Sequence, residues 1–170
     1  MPELVKPSAK YRESFLAAMA ELKTDGRHYD ELNVTRENFA GYLTEMESRS
    51  QGINVPADRV PATKFWLVED DRFIGRLDIR HELNDNLLKI GGHIGYFIRP
   101  SERRRGYGKK ILELGLVEAK KLGLKNVLVT CDVTNLGSAK IIEENGGRLE
   151  NQVEQGGGMP AKARYWIEIK

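Results

Sequence analysis

The residues best suited to chemistry are Arg103-Arg104-Arg105-Gly106-Tyr107-Gly108. They lie between a strand-like run, Gly92 to Pro100, and a helix-like run that opens at Gly108. Glycines let the backbone turn tightly and bring its N–H groups against a bound group without interference from Cβ. A helix start adds N–H donors that have no intrahelical partner and roughly half a positive charge. A basic turn with two spaced glycines ahead of a helix therefore favours a phosphate or pyrophosphate. No Gly-Lys-Ser/Thr ends the segment, so it is not a P-loop, and it lacks the three glycines of a dinucleotide fingerprint.

The elements that must position this loop follow from periodicity. Glu3 to Lys6 reads as a short first strand, and Tyr11, Phe15, Ala18, Met19 and Leu22 recur at helical spacing until Asp25-Gly26. Thr35 is placed to cap a second helix striped by Phe39, Tyr42, Leu43 and Met46. Gln51 to Pro61 is a connecting loop. Strands are expected over Lys64 to Glu69 and Arg72 to His81 around an Asp70-Asp71 turn, then over Lys89 to Arg99, whose glycines at 91, 92 and 95 suggest a bulge or close approach of another backbone. A helix spans Gly108 to Leu122, with Ile111, Leu112, Gly115, Leu116, Ala119 and Leu122 on one face. Asn126 to Val133 is a strand, Ser138 to Glu144 a short helix opened by Asn135, and Arg148 to Glu154 and Ala163 to Ile169 the last strands. The pattern predicts one α/β domain over residues 1–170.

Composition sets bounds. A chain of 170 residues, 40% hydrophobic and 31% charged, suits one soluble globular domain. No apolar run approaches the ~20 residues of a membrane span, and the N-terminus lacks the features of a signal peptide. Cys131 is the only cysteine, so no intrachain disulfide forms and a reducing, cytoplasmic setting is expected. A net charge of +2 gives no electrostatic case for nucleic acid. No membrane partner and no metal site are expected.

The loop resembles the coenzyme A pyrophosphate loop of the GCN5-related N-acetyltransferases (GNAT), which reads Arg/Gln-x-x-Gly-x-Gly/Ala. Arg103, Gly106 and Gly108 fill those positions, and Pro100 precedes them. Asn135-x-x-Ser138 through Gly146 is similar to the family's second motif, and the element order matches along nearly the whole chain. The resemblance implies a mixed, mostly antiparallel central sheet flanked by helices, with a splayed pair of strands that holds the cofactor. It also implies acetyl-CoA held by Arg103, Arg104, Arg105, Gly106, Tyr107, Gly108 and Lys109. Ile98 would pair with the pantetheine arm, and Asn135 and Ser138 would cap a helix and meet a pantetheine amide. A closer likeness is to a poorly characterised bacterial subset of the family, on segments such as Phe65-Trp66-Leu67-Val68 and Gly91-Gly92-His93-Ile94-Gly95-Tyr96. It assigns no substrate.

Two positions depart from the family. The tyrosine acid found in many members seven residues after the motif asparagine is Ile142 here, and the aromatic after the closing glycine is Gly147. Tyr96, Tyr165 or water is left to protonate the departing thiolate. Histidine titrates near neutrality, so His93 on the cofactor strand is the leading base, with His81, Glu82 and Asp132 behind it. Cys131 alternates with Val127, Val129 and Val133, as a buried residue would. The expected reaction is acetyl transfer to a primary amine of a small molecule or peptide, by a monomer or homodimer. The competing expectation, kept open by Ile142, is a catalytically silent acyl-CoA-binding sensor. The segments Lys23–Asn33 and Glu154–Ala161 are expected to shape the acceptor pocket.

Overall fold

The computed structural model describes residues 1–170. A seven-stranded sheet runs β1 (Glu3–Val5), β2 (Ala62–Glu69), β3 (Arg72–Arg80), β4 (Ile94–Ile98), β5 (Asn126–Asp132), β7 (Lys162–Glu168) and β6 (Arg148–Val153) in space. Every neighbouring pair is antiparallel except β4 and β5, which are parallel. This is the mixed, mostly antiparallel sheet that the resemblance implied.

Alternation along β2 explains the layers. Phe65 and Leu67 face one side, where they pack with Leu77, Ile79, Val127 and Val129 under α3 (Tyr107–Lys121) and α4 (Leu136–Glu144). Trp66 and Val68 face the other, joining Phe73 and Phe97 beneath α1 (Arg12–Leu22) and α2 (Phe39–Ser50). The fully buried Trp66 stacks on Phe15 of α1 with ring centroids 4.6 Å apart. The stripe expected on α3 is buried at Ile111, Leu112, Gly115 and Ala119. No helix is long and apolar enough to cross a membrane.

Asp70 and Asp71 both take positive φ, 49° and 60°, as a tight hairpin turn requires. The second helix starts later than its expected cap. Thr35 and Asn38 exchange side-chain-to-backbone bonds of 2.7 and 3.4 Å, and the helix begins at Phe39.

The strand expected over Lys89 to Arg99 is half that length. Leu87–Gly91 instead forms a wide helical turn, closed by the Gly92 N–H on the Leu87 carbonyl. The Asn84 side chain accepts the Leu87 N–H at 2.9 Å and opens that turn. Gly92 then leaves it at φ 70° and ψ −178°, a conformation open essentially to glycine alone. A Cβ there would sit 2.6 Å from the Leu128 carbonyl, so only glycine lets β4 approach β5 at this point.

Candidate functional site

Helix α3 begins without a cap. Gly106 occupies the N-cap position in the left-handed region at φ 84°, and no side chain accepts the first N–H groups. Those donors, with the helix dipole behind them, face outward for an external anion. Arg104 also has positive φ, 61°, so the backbone turns sharply just ahead of the helix.

The three arginines do different work. Arg103 makes a bidentate pair with Asp25 at 2.7 Å and donates to the Ile98 carbonyl at 3.0 Å, which ties the loop to the end of α1 and to β4. Asp25 is held below the usual carboxylate range chiefly by that hydrogen bond. Arg105 pairs at 2.5 Å with the buried Glu102, which also binds Arg72 at 2.5 Å. Arg104 is exposed and is the one of the three that makes no ion pair. Tyr107 turns its hydroxyl to Glu69, and Lys109 lies 3.5 Å from Glu144. Gly108 faces away from the loop, because a Cβ there would meet the Ile141 side chain of α4 at 2.6 Å. Its small size serves the packing of α3 on α4.

Strands β4 and β5 share one ladder position, Ile94 opposite Val129, and then part. The gap opens a cleft of ≈ 620 Å³ lined by Gly95 and Tyr96 of β4, Thr130 to Asp132 of β5, and Thr134 to Ser138 at the start of α4. Asn135 caps α4 by accepting the Ser138 N–H at 3.1 Å. The Ser138 hydroxyl meets the Tyr96 hydroxyl at 3.0 Å across the cleft. Burial pushes the Tyr96 phenol up to about 12, so it keeps its proton near neutral pH. The structure brings Tyr96, Asn135 and Ser138 together at this cleft.

His93 is not part of that cluster. It is buried, its Nδ1 accepts the Leu128 N–H at 2.9 Å, and its backbone N–H donates to the Leu128 carbonyl at 2.7 Å. The imidazole replaces a backbone acceptor where the two strands begin to part. Burial, then the nearby Arg80, lowers its pKa, and its place is structural geometry rather than access to the cleft. His81 likewise bonds Thr63 at 2.7 Å outside the cleft. Asp132 is the one carboxylate lining the cleft, paired to Lys162 at 2.9 Å. Ile142 is fully buried in the core beneath Gly147, and Tyr165 turns its hydroxyl toward Glu143 at 3.4 Å, so neither faces the cleft. Cys131 is buried, as its alternation implied, and burial raises its thiol pKa.

Sequence reasoning missed a buried ionic cluster on the opposite face of the sheet. Glu31, whose side chain is 1% exposed, binds Lys64 and Arg76, and both cations also reach Asp78, at 3.3 and 2.5 Å. Burial alone would raise the Glu31 pKa, but Arg76 and Lys64 hold it below its ordinary value. The alternation of Arg76, Asp78 and Arg80 in β3 reads as a solvated face, and nothing local reveals that Glu31 covers it.

The sequence model of the GNAT acetyltransferase domain matches residues 4–148. Among curated protein sequences, none is significantly similar to this chain. Among solved structures, RimL, a ribosomal L7/L12 alpha-N-protein acetyltransferase in complex with coenzyme A, is similar at 15% identity and TM-score 0.73, over 99% of this chain and 94% of that one. A GNAT-family acetyltransferase from Streptococcus pneumoniae matches at 14% identity and TM-score 0.71, with both chains fully covered. The microcin C7 self-immunity acetyltransferase MccE, in complex with acetyl-CoA and AMP, matches at 15% and 0.71 over 99% and 92%. With the domain model covering most of its length and the sheet splayed between β4 and β5, this chain belongs to the GNAT family of acetyltransferases.

Proposed function

We propose that the protein transfers an acetyl group from acetyl-CoA to a primary amine of a small molecule or peptide. The observation that carries this is the cleft where β4 parts from β5, with an uncapped helix start following β4 in the chain. The site fits the donor on chemical grounds. The free N–H groups of α3 and the unpaired Arg104 suit a pyrophosphate, and the parted strands leave room for a chain bearing amides. Two of the similar structures are complexes with coenzyme A or acetyl-CoA, which supports the same choice.

Bound acetyl-CoA would supply an activated acyl group. The protein's part is positioning, charge stabilisation and proton management. Tyr96 holds a proton at its Oη, and Ser138 orients that hydroxyl at 3.0 Å, so this pair replaces the acid that Ile142 cannot provide. Asp132, acting through water, is the base candidate that lines the cleft, while Lys162 keeps its carboxylate in place. Arg103 and Arg105 act indirectly by fixing the loop through Asp25 and Glu102.

The test is an acetyl-CoA-dependent rise in melting temperature, joined to an amine panel read by free-thiol release. Binding and turnover together support the proposal. The absence of both would overturn it.

A further inference from the structure

A second cavity, ≈ 410 Å³, lies on the α1–α2 side of the sheet, between α2, the Asp30–Asn33 turn and the charged faces of β2 and β3. That volume suits a small molecule. Its lining carries one more cation than carboxylates, Asp58 included. Lys64 and Arg76 are taken up by Glu31 and Asp78. Arg59 reaches Asp30 only at 3.3 Å, and both side chains are exposed. Arg80 has no carboxylate partner, and its Nη1 donates only to the carbonyls of Gly91 and Gly92, at 3.1 and 3.2 Å. Arg49, on the same wall, pairs through Nη2 with Glu45 at 2.5 Å, and only its buried Nε lacks an acceptor.

This cavity abuts the cleft. Gly95 lines the cleft, and the Arg80 guanidinium passes 3.5 Å from where a Gly95 Cβ would stand. A group seated on Arg80 would thus lie beside the strand that borders the acyl-transfer cleft. Burial lowers the Arg80 pKa, and although Asp78 opposes this, Arg76 and Arg59 reinforce it. An incoming anion would relieve that environment.

We infer that the amine acceptor carries an anionic group, a carboxylate or a phosphate, held in this cavity by Arg80 with Arg59, an inference that rests on the acetyltransferase function proposed above. The amine lies a few bonds from the anion, because Arg80 and the cleft are separated by little more than Gly95. Fastening the Leu87–Gly91 turn would not by itself require a charge, since a neutral amide can donate to the same carbonyls.

The experiment compares matched amines with acetyl-CoA: glycine against glycinamide, and ethanolamine phosphate against ethanolamine. The two pairs separate a carboxylate from a phosphate preference. The anionic member should be favoured in kcat/KM by about 10- to 100-fold, the scale of a charge-assisted hydrogen bond. In Arg80→Gln that preference should fall toward parity through a higher KM, while the acetyl-CoA-induced rise in melting temperature persists. Arg59→Gln, at an exposed site, should weaken the preference in the same direction and serves if Arg80→Gln fails to fold. Parity in the unmutated protein, or a preference that survives substitution, would overturn the inference. Acetyl-CoA binding without turnover of any anionic amine would overturn it and leave the cofactor assignment standing. Loss of binding and turnover together would overturn the proposed function itself.

Discussion

Replacing Gly106 and Gly108 separately tests which glycine presents the anion-binding N–H groups. An added Cβ at Gly106 meets nothing within 4 Å, so Gly106→Ala suffers only from its left-handed conformation at φ 84°. That strain is about 1–2 kcal/mol. For a chain of this size each kcal/mol moves the melting point by roughly 2–4 °C, so a fall of about 2–8 °C is expected. The exposed loop relaxes by turning residue 106 to negative φ, which scatters the N–H groups ahead of α3. Gly108→Ala instead presses on the flexible end of Ile141 at 2.6 Å. Overpacking of about 1–3 kcal/mol is partly offset by the better helix propensity of alanine, about 1 kcal/mol. In the unmutated protein, acetyl-CoA at a hundredfold excess over Kd should add about 2.7 kcal/mol, a rise of about 5–11 °C. ATP and NAD should not give it. Thermal melts with and without acetyl-CoA should show that rise at least halved in Gly106→Ala and retained in Gly108→Ala. A full rise in the first variant, or its loss in the second, would refute the assignment of the cradle to residue 106.

His93→Ala leaves the Leu128 N–H without its acceptor, a loss of about 1–3 kcal/mol that urea unfolding should register. Because burial and Arg80 lower the His93 pKa, the unfolded chain takes up the proton first. The stabilisation is complete above the ordinary value of 6.5 and is lost as pH falls toward the depressed folded value, a slope the variant should flatten. Unchanged stability with turnover cut about 10²–10⁴-fold would return His93 to the role of base. Tyr96→Phe should slow turnover most below about pH 8.5, the ordinary thiol pKa, and less above it; a pH–rate profile showing the same loss at every pH would argue against Tyr96 as the acid. Glu31→Gln should destabilise by about 3–5 kcal/mol, since it leaves Lys64 and Arg76 with Asp78 alone. Denaturant titration giving less than about 1 kcal/mol would place the cluster with exposed pairs such as Arg36–Glu13.

Local pattern determined most of the architecture. The period of 3.6 in α3, the alternation in β3 and β5 and the Asp70-Asp71 turn are carried by neighbours in the chain, so the element order was legible from the residues. So were the loop at Arg103–Gly108 and the Asn135–Ser138 cap, because capping and tight turns are short-range. Tertiary structure decided the rest. Arg103 and Arg105 look alike in sequence, but Asp25 claims Arg103 from 78 residues away, Glu102 is shared between Arg105 and the distant Arg72, and Arg104 is left without an ion pair. Gly108 matches a cofactor motif, yet the approach of Ile141 gives it a packing role. His93 has the chemistry of a base, but Leu128 takes its lone pair. Tyr96 and Ser138 stand 42 residues apart and meet only because β4 and β5 separate. Hydrogen-bond partners and desolvation depend on which distant elements pack together, and one strand's pattern carries no record of that.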